Sequence, residues 1–174
     1  MDFVNPFIAV RDFMELGGFV LTIIAVTIFG MWALIIERLI YFRTVLTKSA
    51  EDIKEKWEAR SERQSWYAHQ IRDGMISQYS LQANELVPVI QTLVALCPLL
   101  GLMGTVTGMI EVFDVMAVAG TGNARSMASG VSKATIPTMA GMVGALSGVF
   151  LVTIITRAIE TRVEALDDAL TLDH

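Results

Sequence analysis

Two hydroxyls, on Thr105 and Thr138, are the side chains best placed to do chemistry in this chain. Each lies inside a run that contains no Asp, Glu, Lys, Arg or His. Thr105 is five residues from one end of its run and Thr138 is four from the matching end of the other. On antiparallel helices both would lie on the order of 6–8 Å below the same membrane surface. A hydroxyl donates and accepts, so it can hold water or bond a carboxylate, but it cannot itself carry a proton at neutral pH. The plainer alternative is that each hydroxyl bonds a carbonyl of its own helix.

The residues around them set conditions on any such role. Pro98 removes one helical hydrogen bond and frees the carbonyl of Val94, which predicts a kink or polar notch. Pro137 does the same if its helix begins as early as Ser126, and is harmless if the helix begins beside it. Gly101, Gly104 and Gly108 have the same spacing as Gly141, Gly144 and Gly148, with Thr107 and Ser147 between the last two glycines of each set. Small residues at this spacing let membrane helices approach closely, on each other or on neighbouring copies. Lys133 and Glu111 stand at the ends of their runs as interfacial charges; Lys133 reads as an anchor that snorkels outward. Together these features read as the wall of an assembled channel.

The elements that must carry them are membrane helices. The chain of 174 residues is 53% hydrophobic and 18% charged. Residues 16–36, 86–110 and 134–156 form the three uncharged runs, each long enough to cross a hydrocarbon core at about 20 residues. The expected fold class is all-α, a three-pass transmembrane protein forming a single domain over 1–174, with a cytoplasmic loop at 37–85 and a cytoplasmic tail at 157–174. Of the 13 Lys and Arg residues, all but Arg11, Arg125 and Lys133 fall in that loop and tail. This bias places loop and C-terminus inside and the N-terminus outside. The segment before the first run has Asp2, Asp12 and Glu15 but no basic cluster, so the first span reads as retained.

Smaller signals complete the reading. Asn5-Pro6 marks a helix start, followed by Phe3, Phe7, Val10 and Met14 at helical spacing. That stripe fits either the first turns of a long helix or a short helix lying in the outer interface. The first span, rich in Ile, Val and Phe, is assigned to the lipid-facing layer. Residues 48–63 alternate in sign like a solvated helix, with Ile53, Trp57, Trp66, Ile71 and Met75 as an apolar side. A solvated hairpin is the simpler account of the loop and a docking surface the other. Ile159, Val163, Leu166 and Leu170 line one face of the tail, a stripe that packed copies would bury. Cys97 reads as a buried packing residue, and His69 and His174 as solvated. No nucleotide loop, metal cluster or nucleophilic arrangement is legible, so neither an enzyme nor a cofactor is expected, and the net charge of −5 gives no pointer to nucleic acid.

The sequence Cys97-Pro98-x-x-Gly101-Leu102-x-Gly104-Thr105-Val106-x-Gly108 resembles the second-span motif of the MotA/TolQ/ExbB proton-channel family. Gly130-Val131-Ser132-x-Ala134-x-x-x-Thr138-x-Ala140-Gly141 is similar to its third-span motif, and Glu37-Arg38 fits the end of its first. Three passes and a short loop point to the compact ExbB branch. The resemblance implies a ring-like homo-oligomer, a pentamer, of long second and third helices extending into the cytoplasm of a bacterial inner membrane. It implies an ExbD-like single-span partner whose membrane Asp faces Thr105 and Thr138, and a TonB-like protein that delivers the work to outer-membrane import. Lys133 stands where some ExbB members have an acid, and a cation cannot act there as proton acceptor. A TolQ-type envelope role and a non-conducting scaffold for the partner are the alternatives.

Overall fold

The structure is a computed structural model; it describes residues 6–63, 65–119 and 124–171, with the side chains at 6–9, 12, 13, 15–17, 119 and 124–126 left aside. The cap expected of Asn5, the stripe through Phe3 and Phe7, and the side chains of Arg125 and His174 lie outside the described residues. Four helices follow in order: α1 (Pro6–Glu58), α2 (Trp66–Asn84), α3 (Val87–Ala119) and α4 (Ala124–Ala169). Helical stretches within Gly18–Glu58, Trp66–Val118 and Met127–Ala169 are long and apolar enough to cross a membrane. In hydrocarbon every peptide group must find its partner inside the chain, and a helix provides this.

α1 is broken once. Gly18 has φ 64° and ψ −160°, a backbone region open essentially to glycine alone. The segment 6–17 is thus a short helix of its own, and the long helix begins after Gly18, inside the run expected to be one span.

The chain divides into two units, and α1, α3 and α4 each contribute to both. The first unit is Met1–Trp32 with Thr92–Val149. Its core is set by glycines that bring backbones into contact. A Cβ on Gly108 would lie 2.7 Å from the Cβ of Ala134, one on Gly104 would overlap Pro137, and one on Gly101 would be 2.9 Å from the Cα of Thr138. Further along, a Cβ on Gly141 would run into the Cys97 carbonyl oxygen, and one on Gly148 would reach Val94 at 2.5 Å and Met31 at 2.6 Å. The order 108–134, 104–137, 101–138, 97–141, 94–148 makes α3 and α4 antiparallel. α1 joins with Val20 near Gly104, Ile28 against Gly144 and Met31 against Gly148. The first span therefore does more than face lipid. Leu21, Ile24 and Met31 are buried, while Phe19, Val26 and Phe29 stay exposed on the opposite side.

The second unit is Ala33–Gln91 with Phe150–His174. Here the loop is a helical hairpin packed on the tail, and two expectations change. Trp57 is buried, and its indole N–H donates to the Thr171 carbonyl at 3.1 Å. Trp66 and Ile71 are exposed, and α2 instead buries Ala68, Tyr79 and Ala83. The tail stripe needs no second copy: Ile159, Leu166 and Leu170 are buried within one chain. Two amphipathic pieces cover each other, which removes apolar area from water without assembly.

Arginines tie the helix ends of this unit. Arg38 is buried and donates to the Gln82 and Ala83 carbonyls in the last turn of α2, where helical carbonyls lack internal donors and favour a cation. Its guanidinium also lies 4.7 Å from the centre of the Tyr41 ring. Arg72 donates to the carbonyls of Leu170 and Asp167, each at 2.7 Å, and pairs with the Asp167 carboxylate at 2.6 Å. Arg162 donates to the Thr47 hydroxyl at 2.9 Å and stacks on Phe42.

Candidate functional site

The site grows from the close approach of α3 and α4. Because Gly101 has no side chain, α4 comes near enough for the Thr138 hydroxyl to donate across to the Gly101 carbonyl at 3.0 Å. This bond joins two helices and does not fold back on α4. Thr105, one turn further along α3, donates to Leu102 in its own helix at 2.7 Å. Gly104 and Pro137, each one residue before its threonine, are in contact, so the two hydroxyls occur at one level. Both keep an oxygen able to accept from a partner. Both threonines are half-buried.

The hydroxyls of Thr107 and Ser147, between the last two glycines of each set, bond within their own helices. Thr107 donates to Met103 and Gly104 at 3.1 Å, and Ser147 donates to Gly144 at 2.8 Å. Cys97 is buried, its thiol 3.3 Å from the Leu93 carbonyl. Pro98 lies inside α3, which continues through it. α4 begins at Ala124, so Pro137 is interior to the helix. It deprives the carbonyl of Lys133, four residues earlier, of its helical donor. Gly101, Gly104, Gly141, Gly144 and Gly148 are buried and Gly108 is half-buried.

Toward the ends of these helices a cavity of about 590 Å³ opens within the first unit. Thr107 and Glu111 line it from α3, Ser129 and Lys133 from α4, and Gly18, Phe19 and Val20 from α1. Each polar pair is spaced i, i+4, and so lies on one helical face. Lys133 and Glu111, expected as interfacial charges, are thus brought to one cavity, and Thr107 and Ser129 join them. The spacing Thr107–Glu111 and Ser129–Lys133 is the signal that would have found this cluster. Gly130, against Val112, closes the wall. Among the described residues no group of His, Cys, Asp and Glu is arranged to hold a metal.

Three membrane-length helices, glycine-spaced contacts and hydroxyls without an acid define a helical membrane protein built to pack closely. Residues 42–168 match the MotA/TolQ/ExbB proton channel family, and the chain belongs to that family. Two proteins of Synechocystis sp. (strain ATCC 27184 / PCC 6803 / Kazusa), both described as biopolymer transport proteins, are similar over shorter stretches. ExbB-like 1 is 46% identical over 61 residues, which is 33% of this chain and 24% of that protein. ExbB-like 3 is 37% identical over 59 residues, 33% of this chain and 28% of that protein. The matched stretch therefore spans about a quarter of these relatives' own lengths.

Proposed function

We propose that this chain is the ExbB-like subunit of a proton-driven motor in a bacterial inner membrane. It works as a homopentamer of the single 1–174 domain, with the N-terminus periplasmic, the C-terminus cytoplasmic, and α2–α3 and α4 extending into the cytoplasm. An ExbD-like single-span partner brings the membrane Asp, and a TonB-like protein carries the work to outer-membrane import. The observation that carries the reading is the pairing of an absence with a presence. None of the three apolar runs holds a titratable carboxyl, while Thr105 and Thr138 occur at one level on glycine-packed helices.

Each proton crossing releases about 2.3 kcal/mol per 100 mV. Only a group that changes charge in transit converts this into movement, so the acid must arrive on another polypeptide. Thr138 offers its hydroxyl oxygen to that acid while its proton is held by Gly101. The ExbB-like names of the similar proteins support the ExbB reading, and a TolQ-type envelope role is the alternative.

The test is proton flux into vesicles under an imposed potential, with the chain alone and with its single-span partner. Flux is expected only with both, and Thr138→Val is expected to abolish it while leaving the mass of the complex unchanged. Flux from this chain alone, or undiminished flux in the variant, overturns the reading.

A further inference from the structure

We propose that the cavity holding Glu111 and Lys133 binds the headgroup of a phospholipid with a primary ammonium, a phosphatidylethanolamine. This rests on the reading of the helices as membrane spans, and it concerns a ligand that the motor chemistry does not require.

Glu111 and Lys133 line the same cavity, yet among the described residues neither forms an ion pair with the other or with any neighbour. Both side chains are exposed, so a group that enters the cavity meets both charges. A purely anionic headgroup would face Glu111 and a purely cationic one would face Lys133. A zwitterion meets each with its opposite: phosphate on the Lys133 ammonium, ammonium on the Glu111 carboxylate.

Lys133 and Pro137 both line the cavity, and the proline leaves the Lys133 carbonyl without its helical donor, a main-chain acceptor on a lining residue in addition to the Glu111 carboxylate. A primary ammonium has three donors to give them, and a quaternary one has none.

Glu111 directly follows the uncharged run 86–110, and Lys133 directly precedes 134–156, so both lie where headgroups do. The rest of the lining includes Phe19, Val112 and Met116, apolar surface suited to the start of an acyl chain. On the inner side the helices meet, Gly108 on Ala134 and Gly104 on the Pro137 ring. A cavity closed by packed helices holds a ligand and does not pass one on.

The experiment is native mass spectrometry of the purified complex, stripped of lipid and then offered phosphatidylethanolamine, phosphatidylcholine or phosphatidylglycerol. Phosphatidylethanolamine is expected to be retained over both others. Glu111→Gln and Lys133→Gln should each weaken it about tenfold, the effect of one charge-assisted contact. The double exchange of Glu111→Lys with Lys133→Glu should restore binding, because a zwitterion can reverse. Preference for phosphatidylglycerol, equal retention of all three, or unchanged binding in both single variants overturns the proposal. A complex that conducts no protons still gives the lipid readout, so failure of the motor reading is told apart from failure of this one.

Discussion

Gly141→Ala puts the packing of α3 on α4 to a direct test. The new methyl would overlap the Cys97 carbonyl oxygen, with the Cys97 carbonyl carbon at 3.2 Å and the Gly101 Cα at 3.3 Å. All three obstacles are main chain, so no rotamer change relieves them and the helices must separate by about 1 Å to regain ordinary contact. Overpacking of this kind costs about 1–3 kcal/mol, against a gain of about 0.8–1 kcal/mol from replacing glycine by alanine in a helix. A net loss of about 0–2 kcal/mol follows, and a wider separation would also break the bond from Thr138 to Gly101. Gly30→Ala is the control: nothing lies within 4 Å of its Cβ, so it should stabilise by about 0.5–1 kcal/mol. Gly148→Ala should fall between, because it meets the ends of the Val94 and Met31 side chains, which can turn aside. Thermal unfolding in detergent resolves the series at roughly 2–4 °C per kcal/mol. Gly141→Ala melting level with Gly30→Ala would refute the contact.

Gly18→Ala should lower stability by about 1–3 kcal/mol through its backbone alone, since no atom waits within 4 Å of its Cβ; an unchanged melting temperature would remove the break. Arg72→Ala should speed hydrogen exchange at the end of α4 (residues 166–171), and Arg72→Lys should not rescue it, because an ammonium cannot reproduce the guanidinium fork. Unaltered exchange in both would show that the clamp does not hold this end. Tyr79 is buried with its hydroxyl unpartnered, and burial pushes its pKa above the ordinary 10.0 although Arg162 pulls the other way. The unfolded chain therefore loses this proton first, so stability holds below about pH 10 and falls as pH rises further. Tyr79→Phe should remove that alkaline fall and stabilise by about 1 kcal/mol; an equal alkaline fall in the variant would contradict this.

The spans and their glycine seam were legible because lipid leaves few choices. A run without charge must be helical, and Gly101, Gly104, Gly108, Gly141, Gly144 and Gly148 have little use there except close approach. What was not legible depends on backbone atoms. Arg38 reads as an interfacial charge, and nothing in residue type shows that it ends on the carbonyls of Gln82 and Ala83. Gly17-Gly18 fits a continuous helix as well as a break, and only the dihedral angles decide. The tail stripe reads as a face for neighbouring copies, since alone it would be wet; that the charged hairpin covers it is not visible in residue type. Trp57, set among those charges, was the clue that one side of α1 stays dry.

The glycine seam has a mechanical consequence. Where main chains touch there is no cushion of rotatable side chains to absorb a load. At the Gly101, Gly108 and Gly141 contacts the antiparallel pair within Thr92–Val149 therefore has no side-chain torsion through which to yield. The backbone break of α1 at Gly18 lies outside those contacts.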